Sequence, residues 1–277
     1  MSAMRPGLFA DDSIVRCVNR ENVLLLGGGR ALLMQLAHPK VAAGVDEHSD
    51  FRRRPLYRLR RTVRLTMAIV FGDRETALAA ARNVNRVHAR VKGSDYHALD
   101  PDLLLWVHAT LVDSALITYE TFVRRLSAKQ REEFYQQMNT VAELLGVPRW
   151  KFPATFGDFR SYIDEMIATE LEVRATALEL SRLVVRPRVL RLPGAAFVPL
   201  ELVTTGLLPP PLREQYRLPW RRGHQQVFRL LTRALPKLVA VTPPLLRVWP
   251  LPGHNVQLAA DFSLTADPSG ASGATSP

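Results

Sequence analysis

Residues 100–124, DPDLLLWVHATLVDSALITYETFVR, decide the fold. Asp100 is suited to cap a helix N-terminus, Pro101 to occupy the first helical position, and Asp102 to interact favourably with the helix dipole in the first turn. A long apolar run follows as far as about Arg124. The stretch therefore predicts a long, largely buried helix.

The same helical period extends along most of the chain, and the alternation typical of strands is almost absent. Asp73 is a second good N-cap, Ser127 a third, and Thr155 with Asp158 opens another helix. Further helices are predicted over residues 22–37 (interrupted at 27–29), 55–71, 73–93, 127–145, 156–183, 198–207 and 220–235. We therefore predict an all-α fold, a single domain over residues 1–264 and a disordered tail over 265–277, which is small and polar.

The composition is that of a packed soluble protein: of 277 residues, 47% are hydrophobic and 23% are charged. The single cysteine, Cys17, excludes an internal disulfide and a metal site built from several thiolates. No apolar run is long enough to span a bilayer, and residues 1–12 do not have the pattern of a signal peptide. We expect a cytoplasmic protein.

The net charge of +11 is concentrated in one segment. Residues 181–250 contain twelve basic and two acidic side chains. Such a surface attracts anionic membrane or another acidic ligand, whereas arginine-rich usage spread over all sides needs no partner. We expect no nucleic-acid binding, since no known reading module occurs. Because prolines at 209–211, 243 and 244 interrupt the segment, we expect a patch of short helices and turns there and not one long amphipathic helix.

Two histidines lie on apolar helix faces. His88 shares one side of its predicted helix with Ala77, Ala81, Val84 and Val91. His108 shares a side of the next helix with Leu104, Leu111 and Ala115. Either one alone fits a satisfied core residue, but two on neighbouring helices also fit a shared buried site. The metal-bearing group would then be a haem, which needs a helical apolar pocket and one axial histidine.

A basic motif, RLRRT, places Arg58, Arg61 and Thr62 within about one helical turn. Two guanidinium groups there fit the binding of haem propionates or the polarisation of dioxygen, and equally an ordinary solvated helix start. Gly27-Gly28-Gly29 has neither the sequence of a phosphate loop nor that of a dinucleotide fingerprint. It indicates a flexible helix entry or close helix packing. No nucleophile elbow of the Gly-x-Ser-x-Gly form occurs.

Several long runs resemble the rubber oxygenase (latex clearing protein) and MpaB oxygenase family, in its short bacterial branch. The resemblance covers about residues 12–250. It implies an all-helical fold that carries one haem b, with a histidine as axial ligand of the iron. Relatives use dioxygen to cleave a carbon-carbon double bond in an isoprenoid chain. The runs are ALLMQLAHPKVAAGVDEHSDFRRRP (31–55), RLRRT (58–62), FGDRETALAAARNVNRVHARVKG (71–93), YHALDPDLLLWVHATLVDS (96–114), LSAKQREEFYQQMNTVAELLGVP (126–148) and LVTTGLLPPPLR (202–213).

The resemblance also implies residue roles. The family's haem-ligand motif, His-Ala-x-Val before a basic residue, matches residues 88–92, so His88 is the expected axial ligand. The family's Arg-x-x-Lys-Thr matches Arg58, Arg61 and Thr62, with arginine at 61 in place of lysine. These three are expected catalytic residues, and Arg58 also a cofactor-binding one. His108 is expected among the catalytic residues and His38 among the cofactor-binding ones, and for each the choice stays open between a residue beside the haem and a competing ligand.

The leading hypothesis is a haem b-dependent oxygenase that acts with dioxygen on a small apolar substrate, isoprenoid or otherwise unsaturated. The chain is shorter than the rubber-cleaving and fungal members and lacks their membrane or secretion signals, so we expect a substrate other than rubber. One alternative is a haem- or lipid-binding protein without turnover that docks on anionic membrane. Another is a helical protein that has kept the fold and lost the cofactor.

Overall fold

The computed structural model describes residues 6–52, 55–186 and 197–249, with the backbone alone at residues 50 and 55–59. Every regular element in this part of the chain is a helix, and pairing between extended segments is limited to isolated bridges. The all-α prediction is confirmed. The α-helices are α1 Ile14–Asn19, α2 Gly28–Ala37, α3 Pro39–His48, α4 Pro55–Phe71, α5 Arg74–His88, α6 Pro101–Phe122, α7 Ala128–Leu144, α8 Phe156–Thr169, α9 Ala175–Val185, α10 Val198–Leu207, α11 Pro210–Gln215, α12 Arg222–Val241 and α13 Pro244–Arg247.

Helix α6 is the centre of the fold. It packs against α1, α2, α7 and α12, and most of its side chains are buried, among them Trp106, Tyr119 and Phe122. The Asp100 side chain caps it by accepting a hydrogen bond from the Asp102 amide at 2.8 Å. The helix that the sequence marked most clearly is thus the one around which the others assemble.

Three further predicted helix starts are also confirmed. Asp73 accepts a hydrogen bond from the Thr76 amide at 2.7 Å and so caps α5. Ser127 and Thr155 form reciprocal capping boxes with the third residues of α7 and α8. Local side-chain chemistry therefore determines where these helices begin.

Three predicted helix spans are wrong. Residues 156–183 form two helices, because the Glu172 amide donates to the Ala37 carbonyl at 2.9 Å and holds the intervening chain against α2. Residues 22–27 form a 3₁₀ helix before α2 begins at Gly28. The helix predicted over residues 73–93 ends at His88 and not at Gly93.

The glycine motif serves close packing. A Cβ atom at Gly27 would lie 2.2 Å from Oγ1 of Thr118 on α6, and one at Gly29 would lie 2.4 Å from Oγ1 of Thr204 on α10. No side chain fits at these contacts. Of the two interpretations of the motif, the structure supports close packing.

The basic segment also differs from the prediction. Helix α12 runs for 20 residues and continues through Pro236, where a break was expected. Its packed side chains, Phe228, Leu231 and Leu235, hold it against α6 and α10 on the turns before the proline. The expected short helices are present as α10, α11 and α13, and the prolines at 209–211, 243 and 244 interrupt the segment as predicted, but α12 is longer than expected. The predicted tail, residues 265–277, lies outside the described residues, and the single domain over 1–264 stays a prediction.

A buried ion pair joins three of the core helices. The Arg30 guanidinium donates to Asp113 Oδ2 at 2.5 Å, to Ser114 Oγ at 2.7 Å and to the Leu207 carbonyl at 2.8 Å. The Arg30 and Asp113 side chains are each only 2% exposed. Arg160 of α8 donates to the other Asp113 oxygen. These hydrogen bonds compensate the buried charges of Arg30 and Asp113, which would be costly inside the protein without partners.

Candidate functional site

A cavity lies among α3, α4, α5, the loop that follows α5, and the first turns of α6. The volume that a water-sized molecule can occupy inside it is about 260 Å³. The whole empty space between its walls, which includes the part open to solvent, is about 1050 Å³. The walls are mainly aliphatic, with Val41, Val45, Leu65, Val84 and Val107 among the lining side chains. The cavity therefore offers an apolar surface to a bound molecule.

His88 lines this cavity as the last residue of α5. Ala77 and Ala81, on one side of the same helix, are buried, and Val84 lines the cavity with His88, whereas Val91 lines it from the loop that follows α5. The predicted apolar face of this helix is thus confirmed, and it directs His88 to the cavity.

Arg61 and Thr62 reach the same cavity from α4. Helices α4 and α5 pack against each other, so residues that are 26 positions apart in sequence, Thr62 and His88, share one wall. Arg58 lies on α4 one turn earlier, and its side chain lies outside the described part of the structure.

Three polar residues of the cavity were not predicted from the sequence. Lys40 and His48, both on α3, line it together with Tyr96 from the loop. His48 Nε2 donates a hydrogen bond to the Lys92 carbonyl at 3.0 Å. A second imidazole and a second cation therefore stand in the same cavity as His88 and Arg61.

Tyr96 fastens the loop after α5 to α3. Its hydroxyl donates to Glu47 Oε2 at 2.6 Å, and burial together with this hydrogen bond raises the pKa of Tyr96. A Cβ atom at Gly93 would lie 2.3 Å from the Tyr96 ring, and one at Gly44 would lie 3.2 Å from it. The two glycines leave room for the ring.

His108 and His38 are not among the residues that line the cavity. His108 is buried in α6, its Nε2 has no hydrogen-bond partner among the described residues, and burial lowers its pKa to about 4. His38 lies between α2 and α3, where burial and, to a smaller extent, the charge of Lys40 lower its pKa. The structure thus brings together His88, Arg61 and Thr62, and leaves His38 and His108 outside the lining.

Two imidazoles and two cations are the groups of the cavity that could contact a bound cofactor. Within residues 6–52, 55–186 and 197–249, no group of three His, Cys, Asp or Glu side chains is placed to share a metal ion. A haem iron takes one axial histidine from the protein. His88 in an aliphatic cavity, with Arg61 and Lys40 at its walls, fits that requirement.

No helix of the described chain has both the length and the apolar character to cross a bilayer.

The structure thus defines a helical protein with a mainly aliphatic cavity that contains two imidazoles, those of His88 and His48. A family model described as "ER-bound oxygenase mpaB/B'/Rubber oxygenase, catalytic domain" matches residues 15–237. The chain belongs to this oxygenase family.

Two mycobacterial proteins are similar to the chain. They are the uncharacterized proteins Rv2237 of Mycobacterium tuberculosis and Mb2261 of Mycobacterium bovis, each 29% identical over 216 residues, which is 74% of this chain and 84% of the relative. No solved structure matches the chain significantly.

Proposed function

We propose that the protein is a haem b-dependent oxygenase that uses dioxygen to oxidise a small apolar molecule, isoprenoid or otherwise unsaturated. The observation that carries this proposal is the meeting of His88, Arg61 and Thr62 in one aliphatic cavity. The first residue comes from α5 and the other two from α4, and family membership supports the oxygenase reaction.

The residues present fit haem b. His88 would hold the iron, because its motif matches that of the family's ligand and its helix directs it to the cavity. When bound, the haem supplies an iron centre for the activation of dioxygen. Arg61 and Lys40 are cations at the wall, where they would pair with carboxylate groups of the cofactor.

The remaining lining residues determine what else enters. The aliphatic side chains exclude water and favour an apolar substrate, since burial of apolar surface is worth roughly 25 cal/mol per Å². Thr62 provides a hydroxyl beside Arg61, where the two can orient a small polar reactant. Tyr96, tied to Glu47, keeps the loop closed over this wall.

His48 is the second imidazole of the cavity and so the main competitor for the ligand role. Because its Nε2 donates to the Lys92 carbonyl, the proton-free nitrogen of this tautomer is Nδ1. Helix α3 contributes lining residues to the cavity, as α5 does. His88 would hold the iron, because its motif matches that of the family's ligand, and His48 would lie beside the bound molecules.

The absorption spectrum of the purified protein tests the proposal. We expect a Soret band in the wild type and in His48→Ala and His108→Leu, and loss of the band in His88→Ala, whose only protein-iron bond is removed. Circular dichroism of each variant verifies the fold. Loss of haem in His48→Ala alone would transfer the ligand role to His48, and equal haem content in all variants would contradict the assignment.

Oxygen consumption then tests turnover. Isoprenoid alcohols and unsaturated fatty acids of increasing length are suitable probes, and we expect substrate-dependent oxygen uptake with at least one class. Haem binding without uptake on any of them would favour a binding protein without turnover.

A further inference from the structure

Helix α12 lies on the surface of the protein and uses only part of its circumference for packing. None of its residues is buried. Phe228, Leu231 and Leu235 pack against a small core cluster that contains Phe122 and Val203. The rest of the helix, 20 residues long, faces outward.

A second apolar stripe, which is exposed, runs along the flank of α12 beside its packed side. It consists of Val227, Leu230, Leu238 and Val241, which lie within an arc of about 80° at the helical repeat. Leu245 and Leu246 of α13 continue it, and these six side chains are between 48% and 92% exposed. They make up most of the exposed large hydrophobic side chains of the described chain. Several large apolar side chains exposed together on one element are typical of a docking site.

A basic stripe lies directly beside the apolar one. Arg229, Arg233 and Lys237 follow each other at four-residue intervals, so they share one side of α12. None of the three forms an ion pair with any residue that the structure describes. No acidic residue occurs anywhere from residue 215 to residue 260. The face therefore combines exposed apolar side chains with an uncompensated positive charge.

We propose that the α12–α13 face, defined by these two stripes, docks on an anionic lipid bilayer. The apolar stripe enters the boundary between headgroups and acyl chains, and the basic stripe contacts lipid phosphates beside it. This is the arrangement of an interfacial helix that lies in the plane of the membrane. Charge complementarity supports lipid as the occupant, since anionic headgroups match a face that has no acidic residue.

A second copy of the chain fits this face poorly. A two-fold interface on this face would bring the two basic stripes either against each other or to the two sides of the seam, and in neither case would they meet an acidic residue of the face. Like charges at such an interface are repulsive. The face is thus complementary to an acidic surface and not to itself.

Contacts with residues 20 and 21 hold helix α13 in place. Arg247 donates from Nε and Nη2 to the two oxygens of Glu21, at 2.7 and 2.8 Å, and Glu21 is 1% exposed. The Trp249 amide donates to the Arg20 carbonyl at 3.0 Å. Leu245 and Leu246 therefore project from a fixed turn and are available for insertion.

The docking face is separate from the cavity. The cavity uses Leu103, Leu104 and Val107 at the start of α6, whereas α12 packs against Ile117 and Phe122 near its end. Ten residues of helix, about 15 Å, separate Val107 from Ile117. Docking can therefore be tested without reference to the oxygenase proposal.

Vesicle sedimentation tests the proposal on the full chain. We expect binding to vesicles of phosphatidylglycerol mixed with phosphatidylcholine, no binding to phosphatidylcholine alone, and weakening by salt. Each charge near the surface is worth about a fivefold change in affinity, so Arg229→Gln/Arg233→Gln/Lys237→Gln should bind about 100-fold more weakly. Leu230→Gln/Leu238→Gln should lose about tenfold or more.

A matched control separates this face from net charge alone. Arg125→Gln/Lys129→Gln/Arg182→Gln removes the same charge from exposed positions on other elements and should bind like the wild type. Equal losses in the two triple variants would overturn the proposal, as would the absence of binding to anionic vesicles at low salt.

An environment-sensitive fluorophore reports insertion directly. We expect a blue shift on addition of anionic vesicles when the label is on Leu238→Cys in a Cys17→Ser background. A label on Trp150→Cys, an exposed position in the 3₁₀ helix Arg149–Lys151 and outside the docking face, should not respond. A response at both positions, or a lipid-free dimer that Leu230→Gln/Leu238→Gln dissociates, would contradict lipid docking.

Discussion

Asp113→Ala should destabilise the protein more than any other single removal of a charge in the core. The change leaves the Arg30 guanidinium, 2% exposed, with only the Ser114 hydroxyl and the Leu207 carbonyl as partners. Both are neutral, so the positive charge stays buried without compensation. Removal of one partner of a buried ion pair costs about 3–5 kcal/mol.

The expected shift in melting temperature follows from the size of the chain. At about 2.1 cal/mol/K per residue, unfolding of a chain of this length has an entropy of about 0.6 kcal/mol/K. A loss of about 3–5 kcal/mol then lowers Tm by about 5–9 °C.

Two comparison variants separate buried charge from lost contacts. Arg160 is the outer partner of Asp113, and its own side chain is 39% exposed. Arg160→Gln should therefore cost at most about 1 kcal/mol. Arg30→Met/Asp113→Leu removes both charges and should be less destabilised than Asp113→Ala, because no buried charge stays unpaired.

The free energy of unfolding is measured by urea titration followed by far-UV circular dichroism, at matched cofactor content. If Asp113→Ala unfolds within about 1 kcal/mol of the wild type, or if the double variant is the less stable of the two, the reasoning is refuted.

Two further predictions concern the cavity and α6. Arg61→Ala should lower substrate-dependent oxygen uptake more than haem content if the Arg61 charge acts on the reacting dioxygen. An equal loss of uptake and haem content would indicate that Arg61 anchors the cofactor. Full retention of both would indicate that Arg61 is a solvated surface charge. For His108, burial favours the neutral ring, so its contribution to stability is complete above pH 6.5 and is lost as the pH falls towards its pKa of about 4. The wild type should therefore lose about 3 kcal/mol more than His108→Leu between neutral pH and pH 4, as measured by urea unfolding; identical losses would show that His108 is not held neutral.

The sequence predicted the elements whose signals are local. Asp73, Asp100, Ser127 and Thr155 cap helices through their own side chains, and each helix start was found. The break after α8 was missed, because it depends on a hydrogen bond from Glu172 to Ala37, 135 positions away in the chain.

The cavity was predicted in part for the same reason. His88 and Arg61 were found from helical periodicity and motifs. Lys40, His48 and Tyr96 were missed, since nothing in their local sequence shows that α3 and the loop after α5 meet. The helix predicted over 220–235 stops one residue before Pro236, which intrinsic propensity disfavours inside a helix, whereas α12 continues through it because the preceding turns are packed.

The ion pair between Glu21 and Arg247 also affects when the fold can be completed during synthesis. The two residues are 226 positions apart, so the Glu21 carboxylate leaves the ribosome long before its bidentate partner exists. Helix α1 packs against α4, α6 and α7 and does not depend on this contact, but the ion pair itself closes only after nearly the whole chain has emerged. Closure of this contact is therefore a late event, and a chain that stops short of Arg247 would leave the Glu21 carboxylate without its bidentate partner.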